Sequence, residues 1–208
     1  MTADVDVRFY LDPICPWCWV TSRWLTDNVA PERGLVIDWR TISLYFRNLG
    51  RDFEPAHREA HRSTVPVMRV IEALRADGRN DDVATLYREL GLRIHHQRQH
   101  PVDLAAALTA ANLEPELAEA ATDDSWDAAI RESTDEAEAI AGDDVGTPII
   151  AIETDEGWRG YFGPIIDHRV TGPTAGEVWD ATVVLIRTPG FYELKRTRDV
   201  PLELPDLV

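Results

Sequence analysis

Period-two hydrophobic patterning occurs near the two ends of this 208-residue chain and is missing from its middle, and that distribution restricts the folds open to it. Val5, Val7, Phe9 and Leu11 alternate with mostly polar neighbours as a β-strand does, and Asp12-Pro13 then stops the pattern. A helix is predicted next. Pro16 suits the first helical position, where its missing N–H costs nothing, so Cys15 becomes the N-cap residue. Cys18, Leu25 and Val29 then share the buried face. "GLVIDWRTI" reads as a second strand with Leu35, Ile37 and Trp39 on one side. From about residue 55 to 142 the pattern is helical throughout, clearest where Val83, Leu86, Tyr87, Leu90 and Ile94 fall at helix-face spacing. Pro66, Gly78, Pro101 and Pro115 divide that region into four to six helices. Strand character returns in "PIIAIETDEGWRGYFG", a hairpin around Asp155-Glu156-Gly157, followed by a helix from about Thr174 to Arg187 and an extended tail from Pro189. The order βαβ, helices, ββα predicts one α/β domain, residues 1–54 and 143–208, split by an inserted all-helical domain at 55–142.

Composition narrows the function classes. A 44% hydrophobic chain of this length can bury a core, and no stretch approaches the roughly 20 apolar residues that span a bilayer. "MTADVDVRFY" lacks the basic start and apolar run of a signal peptide, so a cytoplasmic protein is expected. A formal charge of -16 argues against nucleic-acid or anionic-membrane partners. Residues 114–144 hold twelve Asp and Glu against the single Arg131, which reads as a solvated helical face. Lys195, Arg196 and Arg198 could meet an anion, although surface charge near a C-terminus needs no such partner.

Both cysteines of the chain lie in "DPICPWCWVTSRW". A CxxC can be half of a zinc site, a disulfide, or a redox dithiol. Structural zinc wants four ligands, and nothing in the sequence brings His95, His96 or His100 to the cysteines. A structural staple gains little from so short a loop, and a reducing compartment opposes it. A redox pair fits best. At a helix N-terminus Cys15 faces unpaired N–H groups and the positive end of the dipole, which stabilise its thiolate. Cys18, one turn further in, is placed to attack a mixed disulfide on Cys15. Far away in sequence, Thr147-Pro148 enters the third strand, a candidate cis-proline. Trp17, between the cysteines, would form an aromatic wall, Trp24 belongs to the core, and Trp19 is open to either role. His96 and His100, four apart in "RIHHQRQH", share a face if the helix continues that far; the alternative is a polar helix end before Pro101. Phe162-Gly163-Pro164 would shape a turn near Pro148. No glycine-rich dinucleotide fingerprint occurs.

"CPWC" followed much later by "GTP" and "FGP" resembles the DsbA-like branch of the thioredoxin superfamily, whose helical domain is inserted after the first βαβ unit. "DPICPWCWVTSRW", "DDVGTP" and "ELKRTR" are similar to the actinobacterial mycothiol-dependent nitroreductases. That resemblance implies a thioredoxin-like fold, Cys15 as nucleophile and Cys18 as resolving thiol. Pro148 becomes a cis-proline facing them, with the Thr147 backbone pairing to a bound thiol substrate. Pro16, Trp17, Trp19, Thr147, Pro148, His96 and His100 make up the expected substrate-binding set, with no metal and no bound cofactor. Mycothiol or another low-molecular-weight thiol and a mycoredoxin-like redoxin would supply electrons for a nitroaromatic or disulfide substrate. A homodimer is one option for the chain's assembly. A neighbouring group, the kappa glutathione transferases and 2-hydroxychromene-2-carboxylate isomerases, resembles the architecture but has serine where this chain has Cys15. A thiol-dependent isomerase or transferase is therefore the alternative.

Overall fold

A computed structural model describes residues 7–199 and 201–205; Val5 of the first strand pattern and the last three residues lie outside that range. Strand β1 (Val7–Leu11) is followed by helix α1 (Pro16–Trp24), which passes through a widened π-type turn (Leu25–Val29) into α2 (Ala30–Arg33). The widening has a local cause: Pro31 has no N–H to return to the preceding turn, and Ser22 and Thr26 bond back to helix carbonyls. Gly34, at φ 66°, then reverses the chain into β2 (Ile37–Thr41). A short helix α3 (Leu44–Arg47), capped by the Ser43 hydroxyl, leads to α4 (Pro55–Ser63), α5 (Val65–Ala76) and α6 (Asn80–Gly91). A second π-type turn (Leu92–His96) extends α6, and α7 (Leu104–Ala110), two short 3-10 segments and α8 (Asp127–Ala141) follow. The hairpin β3 (Ile149–Thr154) and β4 (Gly157–Phe162) precedes the long α9 (Pro173–Arg187).

The strands form one sheet in the order β2-β1-β3-β4, with β1 parallel to β2 and the other pairs antiparallel. Alternation along β1 decides which residue meets which layer. Val7, Phe9 and Leu11 join Ile37, Trp39, Ile150 and Ile152 in a core shared with α1, α5, α6 and α9, whereas Tyr10, Ile149 and Ala151 face Ala137 of α8. Helices therefore cover both faces. β2 is an edge strand, and Asn80 at the start of α6 covers part of its edge: its amide donates to the Ile37 carbonyl at 2.7 Å and accepts from Trp39 N–H at 3.0 Å.

Between β2 and β3 the described chain contains only helices, and they do not stand apart from the sheet. Val83, Leu86, Tyr87 and Leu90 of α6 sit in the same core as Cys18, Trp19 and Trp39. The acidic run is largely the solvated face its composition predicts, with nine of its twelve carboxylates exposed, and the other three make ion pairs. Glu136 accepts from Arg8 and Arg40 on the sheet at 2.7 and 2.9 Å, Glu138 from Arg47 and Asp127 from Arg69, so these carboxylates fasten the helices to their neighbours. Among the described residues no helix is long and apolar enough to cross a membrane.

Candidate functional site

Cys15 occupies the N-cap of α1 with extended backbone (φ −78°, ψ 112°), and Pro16 begins the helix. The loop that delivers it is pinned by backbone and side chain together: Cys15 N–H donates to the Asp12 carbonyl at 3.0 Å, and Ile14 N–H to the Asp12 carboxylate at 3.1 Å. Both cysteines are free thiols. Cys15 keeps 7% of its surface in solvent and Cys18 none. Trp17 and Pro16 are half-buried beside them, and Arg198 of the C-terminal tail lies over the Trp17 ring with its guanidinium carbon 4.9 Å from the centroid.

The segment entering β3 closes the site from the other side. The Thr147–Pro148 peptide is cis, and the Thr147 carbonyl lies 3.5 Å from Cys15 Sγ while the Thr147 hydroxyl lies 3.0 Å from Cys18 Sγ. Gly163 N–H donates to the Pro148 carbonyl at 2.8 Å. The Thr21 hydroxyl of α1 donates to the Pro164 carbonyl at 3.1 Å, so the "FGP" turn buttresses both the proline loop and the helix. Thr147 and Pro148 are themselves buried, leaving the half-buried Pro16 and Trp17 as the more accessible neighbours of Cys15.

These surroundings polarise the pair. The Cys15 thiol is lowered from its ordinary value by the hydrogen bond from Cys18 and the N–H groups of Cys18 and Trp17, against burial and the nearby Asp12 charge. Burial pushes the Cys18 thiol well above the ordinary range, and the Cys15 sulfur pushes it the same way. The surroundings thus favour ionisation of the Cys15 sulfur and protonation of the Cys18 sulfur behind it.

Several expectations need correction. Trp19 has no exposed surface, so it cannot wall a substrate: its ring packs edge-on against Tyr87 and stacks on His95, and its Nε1–H donates to His96 Nε2 at 3.0 Å. His96 and His100 do not share a face. The helix ends at Gln97, Arg98 turns to φ 55°, the His100–Pro101 peptide is cis, and His100 is exposed. The histidines nonetheless reach the CxxC segment. His95 Nε2 donates to the Pro13 carbonyl at 3.0 Å, and burial lowers its pKa to about 4. Two further residues carry weight that motif reading missed. Tyr87 buries its hydroxyl within electrostatic reach of both thiols, and Asp12, fully buried, accepts from Ile14 N–H, Leu44 N–H and the Thr64 hydroxyl. The signal for Asp12 was a lone charge inside the apolar run "FYLDPIC". Among the described residues no group of three or more His, Cys, Asp or Glu side chains is arranged to hold a metal ion.

Comparison with known proteins bears on the fold and the family. A crystal structure carrying the provisional name of a protein disulfide isomerase, from Nitrosomonas europaea, superposes with a TM-score of 0.57 over 86% of this chain and 97% of its own, at 12% identity. The fold is therefore α/β and thioredoxin-like with a helical insertion. An uncharacterised Mycobacterium tuberculosis (strain ATCC 25618 / H37Rv) protein, Rv2286c, is 26% identical over 200 residues, covering 92% of this chain and 82% of the relative. The model of a family described as mycothiol-dependent nitroreductase Rv2466c matches residues 14–196, from the residue before Cys15 to the end of "ELKR". The match spans most of the chain, and the protein belongs to the Rv2466c-like mycothiol-dependent nitroreductase family.

Proposed function

We propose that the protein is a cytoplasmic thiol-disulfide oxidoreductase in which Cys15 is the nucleophile and Cys18 the resolving thiol. The observation that carries the reading is the unequal pair: a partly accessible Cys15 with its thiol lowered, in front of a buried Cys18 with its thiol raised. Two electrons passed to a disulfide or nitroaromatic substrate leave the Cys15–Cys18 disulfide, and the two thiol protons leave with the electrons. A low-molecular-weight thiol such as mycothiol then attacks Cys15 to form a mixed disulfide and release the Cys18 thiolate. A second thiol, or a mycoredoxin-like partner, attacks that mixed disulfide and restores the dithiol. Family membership supports mycothiol as the donor.

In this scheme residues 1–54 and 143–208 carry the dithiol, and the helical domain at 55–142 supplies the floor through α6. Pro16 and Trp17 meet the substrate, while Thr147 and Pro148 fix the distance between their loop and the sulfurs. His96 acts one step removed, by holding Trp19.

Alkylation of the reduced protein across pH, with each modified cysteine located by mass spectrometry, tests the reading. Cys15 alone should react, with a midpoint well below about 8.5. Two thiols titrating together near that value would defeat the proposal, and a Cys18→Ser variant with full turnover would instead favour a thiol-dependent isomerase or transferase.

A further inference from the structure

Asp12 lies close enough to Cys15 for its charge to oppose the thiolate, and it is held in the fold by several elements at once. Its carboxylate has no solvent exposure and accepts from three places: Ile14 N–H in the CxxC loop at 3.1 Å, Leu44 N–H at the start of α3 at 2.8 Å, and the Thr64 hydroxyl before α5 at 3.0 Å. The Thr64 hydroxyl also approaches the His61 carbonyl at 3.1 Å, so the carboxylate links the active loop both to α3 and to the junction of α4 and α5. Three donors without a cation leave a full negative charge in a low-dielectric site. That charge opposes a thiolate on Cys15. The other titratable groups around this junction include Cys18 on α1, His61 on α4, Tyr87 on α6 and His95 after it.

We propose that Asp12 is a positioning residue that also acts electrostatically, tethering the CxxC loop to the helical segment and setting the dithiol toward the reducing end of its range. The inference rests on the thiol-disulfide reading above and deepens it. In the exchange, the enzyme dithiol and the disulfide of a small thiol become the enzyme disulfide and two small thiols. Two electrons and two protons pass from enzyme to small molecule. A buried anion beside Cys15 raises the free energy of the thiolate and leaves the uncharged disulfide untouched, so it favours the oxidised enzyme and makes the dithiol a better electron donor. This sense is opposite to that of strongly oxidising relatives of the fold, whose reduced form is stabilised. Burial pushes the Asp12 carboxyl up to about 6, which adds a corollary: below that pH the opposing charge fades and Cys15 ionises more readily than a simple titration allows.

The test compares wild type with Asp12→Asn in two readouts, the pH midpoint of Cys15 alkylation and the equilibrium with a glutathione redox buffer. The variant should lower the midpoint by about one unit and shift the equilibrium about tenfold toward the dithiol. A tether with no electrostatic action would leave both unmoved, and that result overturns the inference. If the variant does not fold, the wild type still decides: by infrared difference spectroscopy, the Asp12 carboxyl should titrate at lower pH in the disulfide form than in the dithiol form, and equal titration in both forms overturns the inference. A Cys15 that shows no activated thiolate in the wild type would instead strike the oxidoreductase reading itself.

Discussion

Thr147 serves both sulfurs, its carbonyl toward Cys15 and its hydroxyl toward Cys18, and only the second contact depends on the side chain. Thr147→Val keeps the shape and removes the hydroxyl that partly offsets the raised Cys18 thiol. A hydrogen bond to a charged group contributes about 1.5–3 kcal/mol, so resolution of a mixed disulfide on Cys15 should slow about tenfold or more while its formation is unchanged. Rapid-quench mass spectrometry of the mixed disulfide reads both rates, and an unchanged resolution rate would remove the hydroxyl from the mechanism. Cys18→Ser should make the mixed disulfide persist. The two cysteines were legible because thiol chemistry is written in residue identity and α1 begins at a proline. The histidines were not, because the reach of both His95 and His96 to Trp19 depends on the register of a π-type turn that leaves no period in the sequence.

The joint between α6 and α1 depends on a missing side chain. A Cβ at Gly91 would lie 2.1 Å from the Trp19 ring, so glycine is what lets the end of α6 seat against the buried indole. Gly91→Ala must move one of the two, and overpacking of this kind typically costs about 1–3 kcal/mol. Urea denaturation should show that loss, together with weakening of the Trp19–His96 hydrogen bond visible as a shift of the indole N–H resonance. Wild-type stability would mean that α6 slides without cost. At this scale the sequence was informative wherever a period ran long enough: both strand pairs, the buried stripe of α6 and the extent of α9 agree with their patterns. It was silent on α3, where four residues make no period, and on the seating of α6 against Trp19, where the deciding residue has no side chain.

Across the whole molecule, two buried groups give stability opposite dependences on pH. Asp12 rises on folding from about 3.8 to about 6, so the native state binds the extra proton; its contribution is full below about pH 4 and is lost as pH rises through 6. His95 falls on folding from 6.5 to about 4, so the unfolded state binds the extra proton; its contribution is full above pH 6.5 and is lost as pH falls toward 4. Each shift is worth up to about 3 kcal/mol, somewhat less for His95 because its ring keeps some exposure. Between about pH 4 and 6 the two slopes oppose one another and largely cancel, although both groups flank the same CxxC loop. Removing either should uncover the other. Relative to wild type, the unfolding free energy of His95→Gln should fall by about 2–3 kcal/mol as pH rises from 4 to 6.5, and that of Asp12→Asn should climb by a similar amount. Urea titrations at a series of pH values measure both differences. If neither difference changes with pH, the loop is not held between two displaced ionisations, and the near-neutral pH response of the native protein must come from its exposed charges instead.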